Sequence, residues 1–160
     1  MRIFLSRKLV KRTKIKKQIF MKTKIAITTF ISLLFFAGIN LQAQTIENGS
    51  HSTTGYINSN GTIENSSHST AGYIKNDGTI ENSSHSTIGY IRSDGTIENS
   101  SHSTVGYVKD DGTVENSSHS TIGYVKDDGT VENSSHSTIG HASGVNRDWA
   151  AVVFFFFSFD

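Results

Sequence analysis

From Thr45 onward, apolar and polar positions follow one fixed order. Thr and a β-branched Ile or Val come first, then Glu-Asn, two small residues, His-Ser-Thr, one variable residue, Gly-Tyr, a second Ile or Val, and a polar turn closing in Gly. Copies begin at Thr45, Thr62, Thr79, Thr96, Thr113 and Thr130, and the spacing of 17 residues never varies. A period this strict marks a repeat architecture. The turns read NSNGT, KNDGT, RSDGT, KDDGT and KDDGT. Asn or Asp followed by Gly between β-branched segments predicts hairpins, here centred on Gly61, Gly78, Gly95, Gly112 and Gly129.

The register follows from the faces. A two-residue turn pairs Ile57 with Glu64, whereas a three-residue loop with glycine in the left-handed conformation pairs Ile57 with Ile63. Only the second puts both apolar residues on one face and leaves Tyr56 and Glu64 on the other, and a slip of one residue exchanges the faces. The three-residue loop is therefore expected. The four apolar side chains of one copy cannot offset the ordering of its backbone, so neighbours must share hydrogen-bonded ladders. Half-copies stand at the two ends, TIEN from Thr45 and TIGHAS from Thr138. They suit a ring closed by its own termini, or caps on an open stack.

Composition changes the picture only after it is divided. Of 15 Lys and Arg residues, 10 lie between Arg2 and Lys24, leaving 5 cations against 14 carboxylates, a charge of −9, for the remainder. That acidic part gives no support to nucleic-acid binding, which needs clustered cations. Residues 1–20 read as an over-extended gene start or a long basic n-region. Residues 21–43 read as a signal peptide: two lysines, an uncharged, mostly apolar run from Ile25 to Ile39, and small residues before a cleavage site after Ala43. A membrane anchor is the alternative, but the run is shorter than the roughly 20 residues a spanning helix needs. Residues 44–160 then form one β-repeat domain, exported to the periplasm, cell surface or exterior. There is no cysteine, hence no disulfide.

Tandem GYIKNDGTIENS-like units behind such a leader, ending in Trp149, Ala150, Ala151 and the run Phe154 to Phe157, resemble the five-fold β-flower proteins of exported bacterial proteomes. The resemblance implies a small all-β domain with hairpins arranged about an axis, and it implies no activity. The fold expected is an all-β closed array of about five hairpins sealed by N- and C-terminal strands. An open β-solenoid is the alternative.

The candidate chemistry is repetitive. His51, His68, His85, His102, His119 and His136 would form a metal-binding crown if they converged on an axis. Each stands alone among Ser and Thr, without the short ligand spacing of zinc sites, so hydrogen bonding to Ser and Thr is the expected role. Neither a metal nor any other cofactor is expected. The pairs Asp110–Asp111 and Asp127–Asp128 sit beside turn glycines and read as turn formers rather than calcium ligands. Tyr56, Tyr73, Tyr90, Tyr107 and Tyr124, opposite the isoleucines, could form an aromatic platform for a glycan or other cell-envelope component; packing between strands is the competing role. Hydrolase motifs are absent, and identical copies do not supply the unlike residues of an active site. Outside the repeat, His141, Arg147 and Asp148 are the polar candidates for an enzyme. The segment VVFFFFSF is expected to form a closing strand or plug in the core, or else an exposed strand through which copies associate. The expected function is thus a non-catalytic surface or binding module, with a structural, adhesive or self-assembling β-repeat protein as the alternative and a hydrolase last.

Overall fold

The computed structural model describes residues 43–159. The basic segment and the expected signal peptide, up to residue 42, lie outside the described residues. Among those described, twelve short strands alternate with turns: β1 (Gln44–Asn48), β2 (Thr53–Ile57), β3 (Thr62–Asn65), β4 (Thr70–Ile74), β5 (Thr79–Asn82), β6 (Thr87–Ile91), β7 (Thr96–Asn99), β8 (Thr104–Val108), β9 (Thr113–Asn116), β10 (Thr121–Val125), β11 (Thr130–Asn133) and β12 (Thr138–His141). Each strand pairs antiparallel with its sequence neighbours, and β1 pairs with β12, so the sheet closes into a barrel. The array is closed, as expected, and an open solenoid is not what forms. Closure leaves no free edge for a further strand.

Two kinds of turn alternate around the wall, and they share one backbone path. In the glycine turns the amide of Asn58 donates to Thr62 O, Gly61 N donates to Asn58 O, and Gly61 has φ +83°. Ile57 faces Ile63 across the ladder, the register of the three-residue loop. In the histidine turns Asn48 N donates to Ser52 O, His51 N donates to Asn48 O, and His51 has φ +59°. Histidine thus takes the left-handed position that glycine occupies at the other end. Asn48 Oδ1 accepts from the amides of Ser50 and Ser52, and the later copies repeat this. These side-chain bonds hold a turn that has no glycine at its strained position.

The ladders at the glycine turns are regular, whereas each ladder at a histidine turn carries a bulge. In β2 the extra residue is Thr54, the variable position of the repeat: Gly55 faces Ile46 and Thr53 faces Glu47. A bulge bends its strand and increases its twist, which is what a sheet of such short strands needs in order to close. The variable residue has no residue directly opposite in the ladder, and in five of the six copies it is an apolar side chain in or against the core.

The conserved order of faces places Ile57, Ile74, Ile80, Ile97, Val114 and Val131 in the interior, all at most 1 % exposed. After β12 the chain turns at Gly144 and enters the lumen as a short helix, α1 (Arg147–Ala151), which runs on into a π turn (Val152–Phe156). Asn146 caps α1 by accepting from the amides of Asp148 and Trp149. Phe157 N donates to Val152 O, five residues back, which defines the wider turn. Ala150, Ala151 and Val152 are fully buried. The tail therefore lies in the core as a plug, but it is helical, which corrects the closing strand expected from the sequence. The physical reason is geometric. A strand would aim consecutive phenyl rings at two opposite faces, whereas the helical turn fans Phe154, Phe155 and Phe156 around its axis toward the surrounding wall, and the chain becomes extended at Phe157.

Candidate functional site

Two repeated arrangements carry the chemistry of this barrel, one on each face of the wall. On the outer face five of the six repeat histidines lie flat on the ring of the preceding hairpin's tyrosine. Centroids are 4.3 Å apart for Tyr56 and His68, 4.5 Å for Tyr73 and His85, and 4.4 Å for Tyr90 and His102, Tyr107 and His119, and Tyr124 and His136. The sixth stack is completed by His141, which occupies the tyrosine position of the last half-copy and lies 4.1 Å from His51. Alternation along the strand produces this: Gly55 and Ile57 face inward, so Tyr56 between them faces outward.

Each histidine Nδ1 also meets a glutamate of its own copy, as in His85 with Glu81 at 3.2 Å and His68 with Glu64 at 3.1 Å. The partner is thus glutamate rather than the Ser and Thr side chains expected. A cation closes the group in four copies: Lys75, Arg92, Lys109 and Lys126 pair with Glu81, Glu98, Glu115 and Glu132. In the first hairpin Asn58 donates to Glu64 instead, at 3.0 Å. The cation hydrogen bond is the main reason the carboxyls of Glu81, Glu98, Glu115 and Glu132 are held below their usual range. Asp77, Asp94, Asp111 and Asp128 are lowered too, chiefly by the backbone amide of the following Thr. These aspartates serve the turn, as their place beside glycine suggests.

The six histidines stand apart on the outer wall, each on its own stack, with side chains 57–69 % exposed. Among the described residues no three His, Cys, Asp or Glu side chains gather into a group suited to a metal ion. Each tyrosine has one ring face covered by imidazole, so the outermost aromatic surface is histidine. The three polar residues outside the repeat have separate surroundings. His141 stacks on His51, Arg147 donates to Asp110 O and to the Asp127 carboxylate, and burial raises the Asp148 carboxyl above its usual range against the pull of Arg147.

On the inner face, the glycine of each Gly-Tyr pair leaves bare backbone in the wall. A methyl group on Gly72 would stand 2.5 Å from Phe159 Cδ1. The same test finds Phe157 against Gly89, Phe156 against Gly106, Phe155 against Gly123 and Phe154 against Gly140, all inside 3.0 Å. Five rings of the tail thus sit on five glycines of the wall, in reverse order of the copies. These glycines carry as much of the design as the turn glycines do. The signal for them was present, because an interior glycine in a strand marks close approach of another group.

A family model described as "5-fold beta-flower protein" matches residues 43–158. The chain belongs to that family. The flower matches no curated protein and no solved structure. Its five glycine-turn hairpins agree with the family's description, and its terminal strands β1 and β12 close the ring with a sixth copy of the inward glycine. The flower is therefore a structural β-repeat protein in which a helical tail fills a ring of hairpins.

Proposed function

We propose that the protein is an exported, non-catalytic surface module that binds a cell-envelope glycan along its outer wall. The observation that carries this reading is the sixfold recurrence of one exposed group: an imidazole face backed by an aromatic ring, with a carboxylate at its edge. A flat ring backed by a second ring presents a rigid apolar face for the C–H face of a sugar, and neighbouring carboxylate, amide and ammonium groups supply partners for hydroxyls. Recurrence at a fixed spacing suits a polymer that is itself repetitive, because several weak contacts add on one chain. Chemistry on a bound substrate would need unlike residues in unlike roles, and five of the six histidine groups share the same tyrosine, histidine and glutamate. The leader read from the sequence is consistent with such a location.

The test is co-sedimentation of the protein with isolated cell-wall polysaccharide, together with a glycan array. Retention is expected, and the double variant His85→Ser, His102→Ser should weaken it several-fold while the barrel remains folded by circular dichroism. Absence of retention on every polysaccharide, or equal retention of the folded double variant, would overturn the reading.

A further inference from the structure

The wall has six inward glycines in equivalent register, each facing the asparagine of a histidine turn: Gly55 with Asn65, Gly72 with Asn82, Gly89 with Asn99, Gly106 with Asn116, Gly123 with Asn133 and Gly140 with Asn48. Five of them carry a phenyl ring of the tail. At Gly55 the three nearest atoms to an added methyl group are all backbone, the closest being Glu64 O at 2.5 Å. Among the described residues no ring takes that place; an open cavity of about 240 Å³ lies there, lined by Gly55, Ile63, Val153, Phe157 and Phe159 and also by the polar Glu64 and Ser158.

We infer that the Gly55 slot is a binding site for a single phenyl ring. The wall itself supplies the argument for the occupant. Five copies of the same backbone frame hold one phenyl ring each, seated on its glycine. The sixth copy repeats the frame and adds two of those rings, Phe157 and Phe159, as walls. An apolar cavity of about 150 Å³ is large enough to take benzene. This one has room for a phenyl group with a short polar substituent directed to solvent. The absence of a Cβ on Gly55 is what leaves the depth of the slot, as it does beneath the five seated rings.

The ring can come from a free small aromatic or from a phenylalanine of another polypeptide, and two probes separate these sources. Benzyl alcohol and N-acetylphenylalanine amide are titrated into isotopically labelled protein, and amide shifts are followed by NMR. Saturable shifts centred on Gly55 and Ile63 are expected with one or both probes. Response to benzyl alcohol identifies a small-molecule slot, and response to the phenylalanine derivative alone identifies a side-chain slot; either supports the site. Gly55→Ala shortens the slot from its floor and Ile63→Phe fills it from its wall. Each is expected to weaken binding at least tenfold, and having two variants covers the case in which one fails to fold. Shifts with neither probe, shifts elsewhere on the barrel, or unchanged affinity in the folded variants would overturn the inference.

Discussion

Substituting alanine at the inward glycines separates the contribution of the tail from that of the wall. At Gly72 a new methyl group meets Glu81 O at 2.6 Å and Phe159 at 2.5 and 2.7 Å, whereas at Gly55 it meets Glu64 O at 2.5 Å with no ring among its nearest atoms. The carbonyl contact is common to both positions. So is the stabilisation of about 0.4–1 kcal/mol that alanine gives by restricting the unfolded chain. The difference between the two variants therefore reports the ring alone. Overpacking a filled core costs about 1–3 kcal/mol. At roughly 4 °C per kcal/mol for a domain of this size, Gly72→Ala should melt about 4–12 °C below Gly55→Ala. Trp149, at the glycine-turn end of the lumen, provides a fluorescence probe for urea and thermal unfolding. Adding Phe159→Ala to Gly72→Ala should then cost less than Phe159→Ala costs alone, a coupling that a double-mutant cycle measures. Equal melting of the Gly55 and Gly72 variants, with no coupling to Phe159, would refute the seating of rings on glycines.

Three further outcomes are expected. His85 has φ +60° and stacks on Tyr73; His85→Ala keeps a Cβ in the left-handed region, which costs about 1–2 kcal/mol, so His85→Gly should be more stable than His85→Ala by about that amount in urea titration. Glu81, Glu98, Glu115 and Glu132 have lowered folded-state pKa values through their cation partners; their stabilisation is fully present above the unfolded carboxylate range near pH 4.3 and is lost as pH falls through the lower folded values. Lys75→Met should therefore move the acid-unfolding midpoint to higher pH, measured by circular dichroism, and an unchanged midpoint would remove that pair from the account. Arg147 bridges the start of the tail helix to Asp110 and Asp127; Arg147→Ala should raise amide hydrogen exchange at Ala150 to Val152 more than in the strands, while global stability changes by no more than about 1 kcal/mol because the pair is exposed.

Much of the wall was legible because the repeat overdetermines it. The glycine-turn register followed from keeping Ile57 and Ile63 on one face, and the ladder has that pairing. The outward tyrosines followed from the same alternation. The histidine turns were harder to read. A left-handed histidine is signalled only by its equivalence to the turn glycine, and its stack on tyrosine depends on a contact between adjacent hairpins. The place of the tail in the core was legible but its helix was not, because four consecutive phenylalanines carry no period of their own. Their conformation is set from outside, by a ring of glycines whose gaps need a fan of side chains. The Gly55 slot follows from a count that neither segment contains by itself: six inward glycines in the wall, and five rings seated on them.

The reversed order in which the tail meets the wall has a consequence for biogenesis. Phe154 seats on the last copy and Phe159 on the second, while the seam between β1 and β12 joins the two ends of the domain. The seam cannot close before β12 has emerged from the ribosome, and the plug cannot dock before the residues that follow β12 have done so. Until then the hairpins already made stay unsealed, and the domain matures late, when the seam zips and the aromatic plug docks.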